Sequence, residues 1–395
     1  MDVTSLCSEL IRIRSENPPG DTTDITEYVR RYLDALGVQS RIIKSRPGLC
    51  SIVTRPGKKP LLCSGHLDVV PAIPDGWSHS PFAGTVEDGI VWGRGATDMK
   101  GGCAALLTAY GSLVEQGIEP AVDLAFVCDE ESGGVFGMQY LVEKKYLSPC
   151  DCLIAEPTPD CHPSIGQKGL LRFSATFTGE PGHASLYPDI GVSAIMEAYA
   201  FIEYVRELHT REFRIDESVR VLTRESVRVL QEVFGMKGLQ DVLCRIMFNP
   251  GVISGGEKAN IVAQQCLLEM DLRIPWGCDI PLLIRDLESH APRAEFSIQN
   301  SSAPSLTLPD RKIVSITCEE IRKQYPGPVT PILQWAATDA RHMRNTGFDV
   351  IEYGPGDVRT LHSIDERVPV ETLVKAADIY RGIMLAYTGT GNKPE

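Results

Sequence analysis

The feature that most constrains this fold is a repeated pairing of a short apolar run with ionisable residues directly behind it. The run 61–63 leads into Ser64-Gly65-His66-Leu67-Asp68, the run 122–128 into Asp129-Glu130-Glu131, and the run 152–155 into Glu156. Likewise Val91-Trp92-Gly93-Arg94-Gly95 leads to Asp98, and the run 350–353 passes through Gly354-Pro355-Gly356 towards His362. Between the first two runs, Cys103, Leu106, Leu107, Tyr110, Leu113 and Val114 recur at helical spacing. Apolar strands alternating with helices predict an α/β domain with a mostly parallel, mixed sheet. In such open sheets functional groups gather beyond the carboxyl ends of the strands, so these ionisable residues are expected on one rim.

The pattern changes after Pro157, Pro159 and Pro163. Strand 170–177, helix 192–208, strand 251–254, strand 260–274, helix 280–289 and strand 294–298 follow a β-α-β-β-α-β order, which predicts a ferredoxin-like α+β domain. The α/β rhythm returns from Thr307 and ends in a helix over 370–385. We therefore expect residues 1–165 and 304–395 to form one domain and 166–303 to be inserted into it. A charged, helix-period stretch over 211–245 reads as an insertion on the small domain, its charges a solvated face.

Among 395 residues, 39 Lys and Arg stand against 52 Asp and Glu, a net charge of −13 that repels phosphate backbones. Nucleic acid and anionic membranes are thus not expected partners. No apolar run approaches the roughly 18 residues of a membrane span, and the first residues lack the pattern of a signal peptide, so the expected location is cytoplasmic. The 12 cysteines have no CxxC spacing and are expected as free thiols, many of them buried; Cys150, Cys152, Cys161 and His162 are spaced wrongly for a zinc knuckle.

Several carboxylates and two histidines on one rim are costly unless cations neutralise them, and imidazole with carboxylate suits zinc or a related first-row ion. One metal could not use the five best candidates, whereas two metals sharing a carboxylate could, each keeping an open position for water. His66 and Asp68 share a face in extended backbone, so Asp68 is expected to hydrogen-bond the far imidazole nitrogen.

The motifs Ser64-Gly65-His66-Leu67-Asp68-Val69-Val70-Pro71, Gly93-Arg94-Gly95-Ala96-Thr97-Asp98-Met99-Lys100-Gly101, Asp129-Glu130-Glu131-Ser132-Gly133-Gly134, Gly182-His183 and His362 resemble those of the di-zinc amidohydrolase and metallopeptidase family. That family includes acetylornithine deacetylase, succinyl-diaminopimelate desuccinylase, aminoacylases and glutamate carboxypeptidases. The resemblance spans nearly the whole chain. It implies a catalytic di-metal domain, an inserted dimerisation (lid) domain, a homodimer, and two zinc ions per chain, with cobalt or manganese as alternatives. By it His66, Asp98 and Glu156 would hold one metal and Asp98, Glu131 and His362 the other, with a cis peptide after the bridging Asp98. Glu130 would be the general base for a metal-bridging water, Asp68 a catalytic-site residue as the partner of His66, and His183 an oxyanion donor reaching in from the partner subunit.

Asn260 and Arg273 match positions the family places around a substrate carboxylate, and Arg341 offers a further guanidinium. Ala336-Ala337 stands where the family has Gly-Gly, which disfavours positive φ and alters the expected pocket wall or hinge. The activity implied is hydrolysis of the amide of an N-acyl amino acid in amino-acid biosynthesis. The alternatives are a dipeptidase or carboxypeptidase of the same family, or a catalytically silent binding homologue. The half fingerprint Gly93-Arg94-Gly95 carries a carboxylate where a dinucleotide site needs its third glycine, and neither a Walker loop nor a nucleophile elbow is present.

Overall fold

The computed structural model describes residues 1–54 and 59–389, which divide into two compact units. Met1–Gly166, Leu306–Ile332 and Thr338–Glu395 form the first; Gln167–Ser305 and Leu333–Ala337 form the second.

At the centre of the first unit the strands Val122–Val127, Leu61–His66, Asp151–Ile154 and Asp349–Glu352 are parallel neighbours in that order. Leu61 lies beside both Val122 and Asp151, so the strands start in register and their carboxyl ends come out together. All six residues of Leu61–His66 are buried, which is why the run is continuously apolar before its polar end. The helix Lys100–Glu115 packs on this strand, and Lys312–Gln324 packs on the two strands beyond it. Close approach at one point requires glycine: a Cβ on Gly102 would sit 2.3 Å from the Ala155 carbonyl oxygen, beside the strand end that carries Glu156.

An antiparallel hairpin, Ser40–Arg46 with Leu49–Thr54, extends the sheet past Val122–Val127, making it mixed with a parallel centre. Its outer strand is mostly polar, with Arg41, Lys44 and Arg46 along a sheet edge. A separate small sheet of Arg367–Pro369, Ile90–Trp92 and Thr85–Glu87 ties the loop before Asp98 to the segment after His362.

The second unit is a four-stranded antiparallel sheet in the order Met247–Gly255, Gln265–Ile274, Gly169–Thr178, Ala294–Ser302. The helices Ala194–Leu208 and Ile280–Ser289 complete its core, in which Phe173, Phe177, Phe201, Leu268 and Leu283 are buried together. Burial along Gln265–Ile274 alternates, as expected of a sheet covered on one face. The strand anticipated from Asn260 begins only at Gln265. Before it, Ile261 bridges to His183, the Val262 N–H donates to the Gly182 carbonyl and the Ala194 N–H to the Ala263 carbonyl, so this stretch serves the His183 turn instead of the sheet.

The 211–245 stretch contains the helices Glu217–Phe234 and Leu239–Cys244, with Arg228 paired to Glu225 and Glu232 on an exposed face. Residues Leu333–Ala337 pack with this unit, whereas the sequence pattern assigns them to the other. The Leu333 N–H donates to Ser226 Oγ at 2.8 Å, and the rings of Trp335 and Phe234 meet edge-on at 5.4 Å. Neither Ala336 nor Ala337 adopts a positive φ. All twelve cysteines are free and eight are buried.

Candidate metal centre

His66 ends its strand with the ring fully buried and Nε2 3.0 Å from Asp98 Oδ1 and 3.7 Å from Glu156 Oε1. On the other side of Asp98, His362 Nε2 lies 3.2 Å from Asp98 Oδ2 and 3.3 Å from Glu131 Oε2. Two three-residue groups, His66–Asp98–Glu156 and Asp98–Glu131–His362, thus each bring ligand atoms within 4.8 Å of one another, with Asp98 giving one oxygen to each. The Asp98–Met99 peptide is cis.

Asp129 carries the next two carboxylates into place through a left-handed backbone (φ 74°), after which Glu130–Ser132 form a single 3-10 turn. Glu130 and Glu131 therefore follow one another on a tight turn and not along extended backbone. Gly134 closes the turn by donating to the Asp129 carbonyl at 2.6 Å, at φ 73° where a Cβ would lie 2.1 Å from Asp339 Oδ1.

Asp68 also differs from expectation. The His66 Nδ1–H bonds to the backbone carbonyl of Asp68 at 2.9 Å, while the Asp68 carboxylate stays 3.6 Å from Nδ1. That carboxylate accepts instead from the N–H groups of Glu130 (3.2 Å) and Glu131 (3.1 Å) and from Asn17 Nδ2 (2.9 Å). Asp68 therefore fixes the tautomer of His66 through its main chain and the turn of Glu130 through its side chain. Asn17 has no signal in the sequence pattern: it spans Asp68 and Asp129 and accepts from Ser132 Oγ.

The electrostatics are those of a cation site. Burial opposes charge on His66, yet its bond to Asp98 and the charges of Glu156, Asp98 and Glu130 raise its pKa well above the usual value. Hydrogen bonds to Asp98 and Glu131 lift His362 to about 10. Burial, then the charge of Asp98, pushes Glu131 and Glu156 up, and burial pushes Glu130 far above the ordinary carboxylate range. Without metal the cluster must hold extra protons to exist; divalent cations can replace them. Two imidazoles and three carboxylates, one shared, fit a pair of first-row divalent ions.

Arg341 is not available to a substrate. It is buried, with Nη1 donating to the Thr338 carbonyl at 2.8 Å and Nη2 to the Gly133 carbonyl at 2.6 Å. His342 Nε2 reaches the same Gly133 carbonyl at 3.0 Å, so the segment after Thr338 clamps the loop that carries Glu130. Arg341 binds backbone carbonyls where a substrate carboxylate was expected.

His183, Asn260 and Arg273 belong to the second unit. His183 and Asn260 are exposed on adjacent backbone, the Ala184 N–H donating to the Asn260 carbonyl. Because the Ser185 N–H donates to His183 Nδ1 at 3.3 Å, the neutral ring carries its proton on Nε2. Arg273 Nε donates to Asp271 at 2.8 Å and remains partly exposed.

Fold and site together define a metal-dependent amidohydrolase. The model of peptidase family M20/M25/M40 matches residues 62–386, and the chain belongs to that family. It is 28% identical over 404 residues to a succinyl-diaminopimelate desuccinylase of Acidiphilium cryptum, covering 97% of this chain and 98% of the relative. Among solved structures it resembles an M20 family metallo-carboxypeptidase from Sulfolobus solfataricus, with a TM-score of 0.80 and 20% identity over 98% of this chain and 100% of that one. It also resembles the di-peptidase Dug1p of Saccharomyces cerevisiae, with a TM-score of 0.75 and 16% identity over 99% and 96% of the two chains. Among the described residues no helix is long and apolar enough to cross a membrane.

Proposed function

We propose that the protein hydrolyses the amide bond of a small N-acyl amino acid, of the deacetylase and desuccinylase type, in the cytoplasm. The observation that carries this is the sharing of Asp98 between two ligand sets, with Glu130 next in the chain to the ligand Glu131. His66, Asp98 and Glu156 would hold one divalent ion and Asp98, Glu131 and His362 a second, zinc by preference, cobalt or manganese as substitutes. When bound, the two ions supply Lewis acidity, polarising the amide carbonyl and making water acidic enough to ionise near neutral pH.

Glu130 acts as the general base. Its burial makes its carboxylate a stronger proton acceptor, and the Asp68 bond to its N–H fixes its backbone. Having taken a proton from the attacking water, Glu130 delivers it to the departing amine. His183, which its Nδ1 acceptance leaves with the proton on Nε2, stabilises the oxyanion, and Asn260 with Arg273 receives the substrate carboxylate.

The His183 role is assigned across a homodimer. The sheet-edge strand Met247–Gly255 is exposed, as are its Val252 and Ile253 and, on the helix Ala194–Leu208, Ile195, Met196 and Tyr199. An unpaired apolar edge of this kind fits a second copy of the same edge. The dipeptidase reading stands as the alternative, favoured by the fold likeness to Dug1p. A panel of N-acetyl and N-succinyl amino acids and unblocked dipeptides, with zinc, cobalt or manganese, separates the two. Turnover of acylated substrates is expected; exclusive turnover of dipeptides would overturn the deacylase assignment.

A further inference from the structure

Beyond the ligands, one buried carboxylate organises the loop on which both metal sites depend. Glu366 is fully buried, and its Oε1 accepts three backbone N–H groups of one loop, those of Gly95 at 3.1 Å, Thr97 at 3.0 Å and Asp98 at 2.9 Å, while the intervening Ala96 N–H turns to the Gly93 carbonyl. Its other oxygen pairs with Arg94 Nη1. Arg94, also buried and 5.2 Å from the Trp77 ring, extends Nη2 to the His362 carbonyl at 3.4 Å. The two segments are laced further by Gly93 N–H to the Glu366 carbonyl (2.9 Å) and Thr97 Oγ1 to the Arg367 carbonyl (2.6 Å).

Several N–H groups of one loop converging on one oxygen form a concavity that suits an anion, and charge-assisted bonds at these distances are strong and directional. Such an acceptor aims the Asp98 peptide, and hence the carboxylate whose two oxygens face His66 and His362. We propose that Glu366 is the positioning residue of the bridging carboxylate and that the Arg94–Glu366 pair clasps the two metal sites into one unit, Glu366 holding Asp98 and Arg94 holding the main chain of His362. This rests on the dinuclear reading above. A glutamine cannot replace Glu366, because its single carbonyl oxygen can face the three N–H groups or Arg94, but not both.

The test is a calorimetric zinc titration of chelator-stripped full-length protein, paired with the visible absorption of the cobalt-substituted form. For E366Q both binding steps should weaken 10- to 100-fold and the cobalt bands should shift, since Asp98 serves both sites. R94K retains a charge for Glu366 but cannot also reach the His362 carbonyl, so only one step should weaken. Dissociation constants within twofold of wild type and unchanged cobalt bands in both variants would overturn the clasp alone. If E366Q does not fold, R94K decides: two unchanged steps overturn the proposal, one weakened step supports it. Wild-type protein that takes up no metal would sink the dinuclear reading and the clasp together.

Discussion

The two units place ionisable residues in opposite settings. In the first, His66, Glu131 and Glu156 are buried at strand ends; burial and the charge of Asp98 raise both carboxyls, while the surrounding carboxylates raise His66 against its burial. In the second, His183 and Asn260 stand exposed on turns, and Arg273 is half-covered and held by Asp271. The first unit thus gathers both candidate ligand sets, with only His362 half exposed, whereas His183, Asn260 and Arg273 of the second unit join no such cluster.

The largest expected effect breaks the first unit's chemistry without touching its ligands. Glu130→Gln should lower kcat by about 10³-fold or more while the protein still binds two metals, because the base is lost and the ligand set is kept. Metal analysis alongside steady-state kinetics checks it; near-normal turnover would place the base elsewhere. Next, His183→Ala should cost about 10²- to 10³-fold in kcat. Mixing inactive His183→Ala with inactive Glu130→Gln subunits should restore activity through sites that draw one residue from each chain. Proven exchange of subunits without any restored turnover would confine His183 to its own chain or to no role.

The smallest effect sharpens the comparison by testing burial without chemistry. Asp123, at the start of its strand, has its pKa lifted by burial to about 6. The folded protein then binds more protons than the unfolded one between about pH 4 and 6, so Asp123 costs nothing below this window and its full penalty above it. Asp123→Asn should therefore raise stability at pH 7.5 by about 1 kcal/mol, discounted for partial exposure, or a few degrees in Tm, with the gain vanishing near pH 4. Activity should stay unchanged. A gain equal at both pH values would show that the carboxylate is not the source.

Much of the fold and of the metal centre is legible in the amino-acid sequence, for identifiable reasons. Strands buried on both faces are mostly apolar until they end, so His66 and Glu156 stand out as the first ionisable groups behind their runs, and Glu131 as the third carboxylate of the Asp129-Glu130-Glu131 cluster behind another. The β-α-β-β-α-β order is visible because a sheet covered on one face alternates. What sequence cannot show is which atoms of a residue do the work. The spacing of Asp68 predicts that its carboxylate serves His66, but its carbonyl does so, a matter of backbone torsion. Arg341 is expected to face substrate, yet its donors reach the Thr338 and Gly133 carbonyls, partners fixed only by tertiary packing. Asn17 and Glu366 carry no local pattern, since their partners lie 51 and about 270 residues away. The edge hairpin 40–54 escapes a reading by apolar runs because its exposed outer strand is polar.

The central claim is that two cations held around Asp98 make this chain a hydrolase. Its most direct test is a zinc titration of chelator-stripped wild-type protein, following bound metal and hydrolysis of an N-acyl amino acid together. Binding should saturate at two zinc ions per chain, with turnover absent from the stripped protein and complete when both are bound. Full turnover by the metal-free protein, or no more than trace zinc uptake, would contradict the account.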